Sequence, residues 1–162
     1  MLTNAIRAAL VRRDPYVRMV VAVDGVADGA IIVAVTNLVL VVLYLGGDFE
    51  AFVIVRVILD GLIGWIVLSG MVYLVGRRLL DGYGSFPSTM AATSIGYPVV
   101  LSALVLRFVV DPYWAVQLSS LWLVVTVWMA ARVALELDAR KAAIAAVLGW
   151  VAYLIVRTVF RV

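Results

Sequence analysis

Apolar residues run almost unbroken through five stretches of this chain, and short polar breaks separate them. The stretches cover about Gly29–Leu45, Ala51–Val75, Thr89–Val110, Tyr113–Ala134 and Ala142–Phe160. A helix needs roughly 17–25 apolar residues to cross about 30 Å of hydrocarbon, and each stretch meets that length. In lipid a chain must satisfy its own backbone polar groups, which a helix does within a single segment. The pattern therefore predicts an all-α polytopic membrane protein, a bundle of five transmembrane helices over residues 29–162. The breaks are chemically ordinary. Gly46-Gly47-Asp48 reads as a turn, Gly76-Arg77-Arg78 ends the second span, and Asp81–Pro87 is a loop. Asp111-Pro112 restarts the chain into the fourth span, and Glu136–Lys141 is a charged connection.

Residues 1–28 are more polar but carry apolar positions at helical spacing. Leu2, Ile6, Ala9 and Leu10 share one face, and Tyr16, Met19, Val20 and Val23 form a second stripe. Between them Asp14-Pro15 reads as a break and restart, with Asp as N-cap and Pro at the first helical position. Two placements fit this segment. Its helices either lie in the headgroup layer with Arg7, Arg12, Arg13 and Arg18 facing anionic lipid, or pack against the bundle on its cytoplasmic side. No signal-peptide cleavage pattern closes the first apolar run, so it reads as a retained span.

Composition sharpens this picture mainly by exclusion. The apolar fraction is 66% and the mean hydropathy +1.15, against about 45–50% apolar residues in soluble domains. Cysteine and histidine do not occur. That removes disulfides, thiolate metal sites, imidazole ligands to metals or haem, and a histidine general base. No cofactor and no metal site is expected, and no catalytic residue is assigned. The glycines of Asp81–Pro87 lack the Gly-Lys-Ser/Thr of a phosphate loop. The 13 basic residues comprise 12 arginines and Lys141, and the net charge is +3. They are scattered over helix ends rather than gathered on one face, which argues against nucleic-acid binding. With the N-terminus inside, the inner ends hold Arg7, Arg12, Arg13, Arg18, Arg77, Arg78, Arg132, Arg140 and Lys141. The outer ends hold Arg56, Arg107, Arg157 and Arg161. The positive-inside rule then gives a cytoplasmic N-terminus and an outer C-terminus, in a prokaryotic plasma membrane on the arginine-rich composition.

The one carboxylate well inside a span is Asp60, nine residues into the second stretch and roughly 13 Å along it. A charge at such depth costs about 2.5–3.5 kcal/mol on insertion scales. Arg56, four residues earlier, shares its helix face. Asn37 in the first span and Arg107 and Arg157 at outer span ends complete a candidate intramembrane polar site. Its functional reading is a site for an ion, a proton or a lipid headgroup. Its structural reading is an ion pair that locks helices together or lets Arg56 reach outward. Thr93, Ser94, Ser102, Ser119, Ser120 and Thr126 read as interhelical hydrogen-bonding groups. Trp65, Trp122 and Trp150 fall near mid-span, where each indole N–H needs a partner. In the third span Gly96-Tyr97-Pro98 predicts a kink, since proline removes a helix hydrogen bond and disfavours helical geometry at the preceding residue.

The order of these features resembles the Yip1-domain family, in its bacterial branch. Gly64-Trp65 through Tyr73-Leu74-Val75-Gly76-Arg77-Arg78-Leu79-Leu80 is similar to that family's second span and its exit. Gly84-Ser85-Phe86 resembles the loop that follows, and Ser94-Ile95-Gly96-Tyr97-Pro98 its glycine-aromatic-proline third span. Trp122 or Trp128 followed by Ala131-Arg132-Val133-Ala134-Leu135 resembles the fourth-span exit, and Ala142–Gly149 the alanine-rich fifth span. The likeness covers about residues 20–160. It departs from the pattern where Pro98 adjoins the Gly-Tyr pair instead of following a few residues later. The Asp-Leu-Tyr-Gly-Pro motif of eukaryotic members does not occur in this sequence, so their GTPase partners are not carried over. The resemblance implies an integral membrane protein without enzymatic activity, whose eukaryotic relatives act in vesicle trafficking and membrane shaping.

Three functions fit the residues. The first is a membrane-organising or scaffold protein whose partners are membrane lipids, a second copy of itself or another membrane protein. The second is a small transporter or lipid-moving protein using Asp60, Arg56, Asn37 and Arg107. The third is an accessory subunit of a larger membrane complex.

Overall fold

A computed structural model describes residues 2–45 and 51–159, and among these every regular element is helical. The expected turn at Gly46-Gly47-Asp48 lies outside the described residues. Two short helices, α1 (Leu2–Ala9) and α2 (Arg13–Val21), precede the long ones. The first span is α3 (Gly25–Leu45), and the second is α4 (Ala51–Leu74), which continues through a π-helical turn at Val75–Leu79. The third is composite: α5 (Phe86–Gly96), a 3₁₀ turn at Tyr97–Leu101, then α6 (Ser102–Leu106). The fourth and fifth are α7 (Pro112–Ala134) and α8 (Ala139–Val159). All five are long and apolar enough to cross a membrane.

Local chemistry sets several of these limits. Ser85 caps α5, its hydroxyl accepting from the Ser88 N–H at 3.2 Å, with Pro87 in the first turn where an amide donor is not needed. Asp111 caps α7 in the same manner, its Oδ1 accepting from the Tyr113 N–H at 2.9 Å. Asp138 accepts from the Lys141 N–H at 2.8 Å and starts α8. Asp14 does not cap α2. That helix starts at Arg13, and Arg12 holds the cap position without a side-chain hydrogen bond. Pro15 still fits there, because the first-turn amides of a helix have no intrahelical acceptor.

The spans bury one face against one another and leave many bulky aliphatic residues outward. Trp65, Leu68 and Val72 of α4 pack with Leu123, Val127 and Ala131 of α7 and with Ala142, Ala145 and Ala146 of α8. Ile31, Leu59, Ile66, Leu121, Leu148 and Ile155 are exposed. In water so much outward apolar surface would drive aggregation, whereas lipid tails solvate it. Inside lipid, helices associate by close packing and interhelical hydrogen bonds, not by apolar burial. The small face of α8 serves the first. A threefold cluster serves the second: Trp65 Nε1 donates to Thr93 Oγ1 at 3.1 Å and to the Met90 carbonyl at 3.3 Å, while Ser69 and Thr93 share a hydrogen bond of 2.7 Å.

The amino-terminal pair α1–α2 is packed on the flank of the bundle, against α5 and α7. Tyr16 is the anchor. It is fully buried among Ala92, Ile95, Ala130 and Ala134, and its hydroxyl donates to the Ala8 carbonyl at 2.9 Å. Burial raises the pKa of that hydroxyl well above the ordinary tyrosine value, so it remains a donor. Trp122 Nε1 donates to the Ala9 carbonyl at 3.0 Å, which brings the end of α1 level with the middle of α7.

One end of the bundle is basic. There α4 and α7 finish, α5 and α8 begin, and Arg77, Arg78, Arg132, Arg140 and Lys141 gather. Backbone groups tie its loops together: the Gly82 N–H donates to the Gly76 carbonyl at 2.8 Å and the Tyr83 N–H to the Leu135 carbonyl at 3.0 Å. Lys141 Nζ adds a bond to the Leu80 carbonyl at 3.0 Å.

Candidate functional site

Away from the basic end the five spans separate around a cavity of about 560 Å³. Each span contributes wall. Asn37 and Val41 come from α3, Asp60, Gly61 and Gly64 from α4, and Tyr97, Val100 and Ala103 from the composite third span. Ser119, Ser120 and Leu123 come from α7, and Tyr153 and Val156 from α8. The walls are mostly aliphatic, and the polar groups are few.

The cavity exists because two helices give up bulk or regularity there. On α4, Gly61 and Gly64 sit three residues apart on the face turned to the cavity. A β-carbon on Gly61 would overlap the Asn37 amide, and one on Gly64 would come within 2.9 Å of the Tyr153 ring. Both polar side chains thus lean on bare backbone. In the third span the α-helix stops at Gly96 because Pro98 has no N–H to donate, and the chain winds more tightly to Leu101. The tighter coil reaches Tyr97 and Val100 into the cavity wall. Thr126 Oγ1, bonded to its own helix at the Leu123 carbonyl (2.9 Å), packs closely on Gly96.

The polar groups are held in place. Asn37 Nδ2 donates to the Val33 carbonyl at 2.8 Å, which leaves one amide hydrogen and the carbonyl oxygen for other partners. Ser102 and Ser119 share a hydrogen bond of 2.9 Å between α6 and α7, and Ser119 also donates to the Ala115 carbonyl at 2.9 Å. Asp60 forms an ion pair with Arg56 at 3.6 Å; the arginine side chain is 54% exposed and the aspartate 19%. Asp60 therefore borders the cavity while its partner faces outward.

Of the five residues marked for a polar site, Asp60 and Asn37 line the cavity together, and Arg56 reaches it only through Asp60. Arg107 belongs elsewhere. Its guanidinium donates to the Leu43 carbonyl at 3.3 Å and lies 5.3 Å from the centre of the Phe108 ring. Arg157 falls on α8, with its side chain outside the described residues. Gly96, Tyr97 and Pro98 lie at the helix interruption, and Tyr97 reaches the cavity. Arg7 on α1, Arg13 and Arg18 on α2, and Arg12 between the two helices are all exposed. Tyr153, Gly61 and Gly64 were not marked by the sequence. The two glycines three apart in an apolar span are a close-approach signal that could have found them. Trp150 Nε1 is buried without a hydrogen-bond partner among the described residues. No three of His, Cys, Asp or Glu come together among the described residues to hold a metal ion.

Five membrane-crossing helices and an apolar cavity with a sparse polar rim define a polytopic, all-helical integral membrane protein. The Yip1 domain model matches residues 9–160, nearly the whole chain, and the chain belongs to that family. Neither the curated proteins nor the solved structures contain a significant match to it.

Proposed function

We propose that this Yip1-family chain is a non-enzymatic, membrane-organising protein that works by holding lipid within its bundle. The observation that carries this reading is the cavity walled by all five spans. Its volume lies in the range of about 300–1,000 Å³ typical of ligand sites, and its make-up of aliphatic wall with a few fixed polar groups is that of a site for a mostly apolar ligand. An acyl chain suits the walls. The free amide hydrogen of Asn37 suits an ester carbonyl, and Arg56 offsets the charge of Asp60 at the rim. On this reading the chain sits in a prokaryotic plasma membrane with its basic end on the cytoplasmic side, and the exposed side chains of Arg7, Arg12, Arg13 and Arg18 reach toward anionic lipid headgroups there. Lipids are its first partners, and a second copy or another membrane protein would be organised through them.

A photoactivatable phospholipid with its reactive group at the acyl terminus tests this in membranes. Label on the Val57–Gly64 and Val116–Leu123 segments is the expected result. Label confined to outward residues such as Ile66 and Leu148 would retire the proposal.

A second reading is a lipid or ion path, favoured by Asp60 standing at the cavity wall inside a span. Flux across liposomes that depends on Asp60, and is abolished by Asp60→Asn, would favour it over static holding.

A further inference from the structure

A second pocket of about 550 Å³ opens at the basic end, lined by Tyr73, Arg77, Arg78, Asp81, Gly82 and Tyr83. It is unlike the cavity between the spans in every chemical respect. Two guanidinium groups and one carboxylate face one small space, with two tyrosine rings beside them. The geometry points to a binding site for a zwitterionic phosphoethanolamine headgroup, its phosphate on the arginines and its primary ammonium on Asp81.

Three observations carry this. First, the opposite charges do not cancel one another. The only ion pair among the described residues is Arg56–Asp60, so Arg77 and Arg78 stay apart from Asp81 although all three border the pocket. Second, the two arginines differ. Both are exposed, but Arg77 Nη1 donates to the Gly82 carbonyl at 2.8 Å and so fixes the loop, while Arg78 has no hydrogen bond or ion pair among the described residues. One arginine builds the pocket and the other is left for a ligand. A guanidinium is suited to a phosphate because its donors form a planar fork. Third, the backbone is set to keep these groups in place. The π-helical turn at Val75–Leu79, which closes the second span, carries both arginines side by side. Asp81 holds a left-handed φ of 58°, a conformation that aspartate tolerates and β-branched residues do not. Gly82 and Tyr83 are then tied to Gly76 and Leu135 by the backbone bonds already described.

The carboxylate sets the selectivity. A purely anionic headgroup gains from Arg78 but is repelled by Asp81. A phosphocholine keeps the positive charge but has no N–H to donate to the carboxylate. A primary ammonium supplies both charge and donors. The site lies where α4 ends, at the level of the headgroups, and is independent of the cavity between the spans.

Native mass spectrometry of the full-length protein from nanodiscs containing phosphatidylethanolamine, phosphatidylglycerol and phosphatidylcholine in equal parts tests this. Wild type should retain phosphatidylethanolamine over the other two. Arg78→Gln should lower its retention about tenfold, as loss of one charge-assisted hydrogen bond implies, and Arg78→Lys should recover part of it. Asp81→Asn should move the preference to phosphatidylglycerol while the protein stays folded, which a merely structural role would not do. Added free phosphoethanolamine separates two sources of the same chemistry: displacement of the lipid assigns the site to a soluble headgroup compound, and no displacement assigns it to the lipid. Equal retention of all three lipids by wild type, or a preference untouched by both Arg78→Gln and Asp81→Asn, would overturn the assignment. Because these residues lie far from Ala103 and Gly64, failure here leaves the cavity reading standing.

Discussion

The two halves of the bundle solve the same packing problem in opposite ways. At the basic end α4, α7 and α8 meet through small residues, Ala131, Ala142, Ala145, Ala146 and Gly149, and the loops are bolted by backbone hydrogen bonds. In the other half the same helices diverge and leave about 560 Å³ unfilled. Hydropathy does not distinguish the halves, since both are apolar. The difference comes from where glycine, proline and polar side chains fall. Glycines at the basic end let one backbone approach another, whereas Gly61 and Gly64 make room for the Asn37 and Tyr153 side chains. Pro98 interrupts the third span at the boundary between the halves.

This contrast predicts a graded response to substitution. The largest effect is expected at the tight end. A β-carbon on Gly84 would overlap the Ala134 carbonyl, and backbone cannot swing aside as a side chain can. Gly84→Val should lose most of the folded protein on size-exclusion chromatography in mild detergent, beyond the 1–3 kcal/mol or so usual for overpacking. Wild-type yield from this variant would show that the loop is not the closed structure described.

Trp65→Phe should have an intermediate effect. It removes the donor to Thr93 and Met90 and leaves both acceptors buried. A loss of about 0.6–2 kcal/mol is expected for an interhelical bond of this kind, read as a lower midpoint of thermal aggregation. Trp65→Phe combined with Thr93→Val should be less destabilising than the sum of the two, because they share one network.

Asp60→Asn belongs at the small end of the scale. Its ion pair is long, at 3.6 Å, and half exposed on the arginine side, so the change in stability should stay within about 1 kcal/mol. A large loss would mean that Asp60 has a buried partner and acts as a helix lock.

The sequence made the five spans legible because length and apolar content alone decide whether a helix can cross lipid. Pro98 announced the interruption of the third span for an equally local reason, the missing N–H. The site was legible only in part. Asp60 and Asn37 stood out as polar groups in apolar runs, and both reach the cavity. Arg107 stood out equally and does not, because a long side chain at a span end finds a nearby carbonyl and ring first. Tyr153 gave no signal, since a lone tyrosine inside an apolar run does not tell which neighbour its ring meets. Arg77 and Arg78 entered only as charges that orient the chain. Their place beside Asp81 depends on a π-helical turn and a left-handed residue, neither of which a hydropathy pattern contains.

The central claim is that the space among the five spans is a lipid site, and filling it tests that most directly. Ala103 lines the cavity on α6, and Ala103→Phe places a ring where an acyl chain would lie. Native mass spectrometry of wild type and of a folded Ala103→Phe protein, both carrying Arg78→Gln to empty the headgroup pocket, should find a phospholipid that survives detergent exchange on the first and not on the second. Undiminished lipid on a folded Ala103→Phe protein would contradict the account.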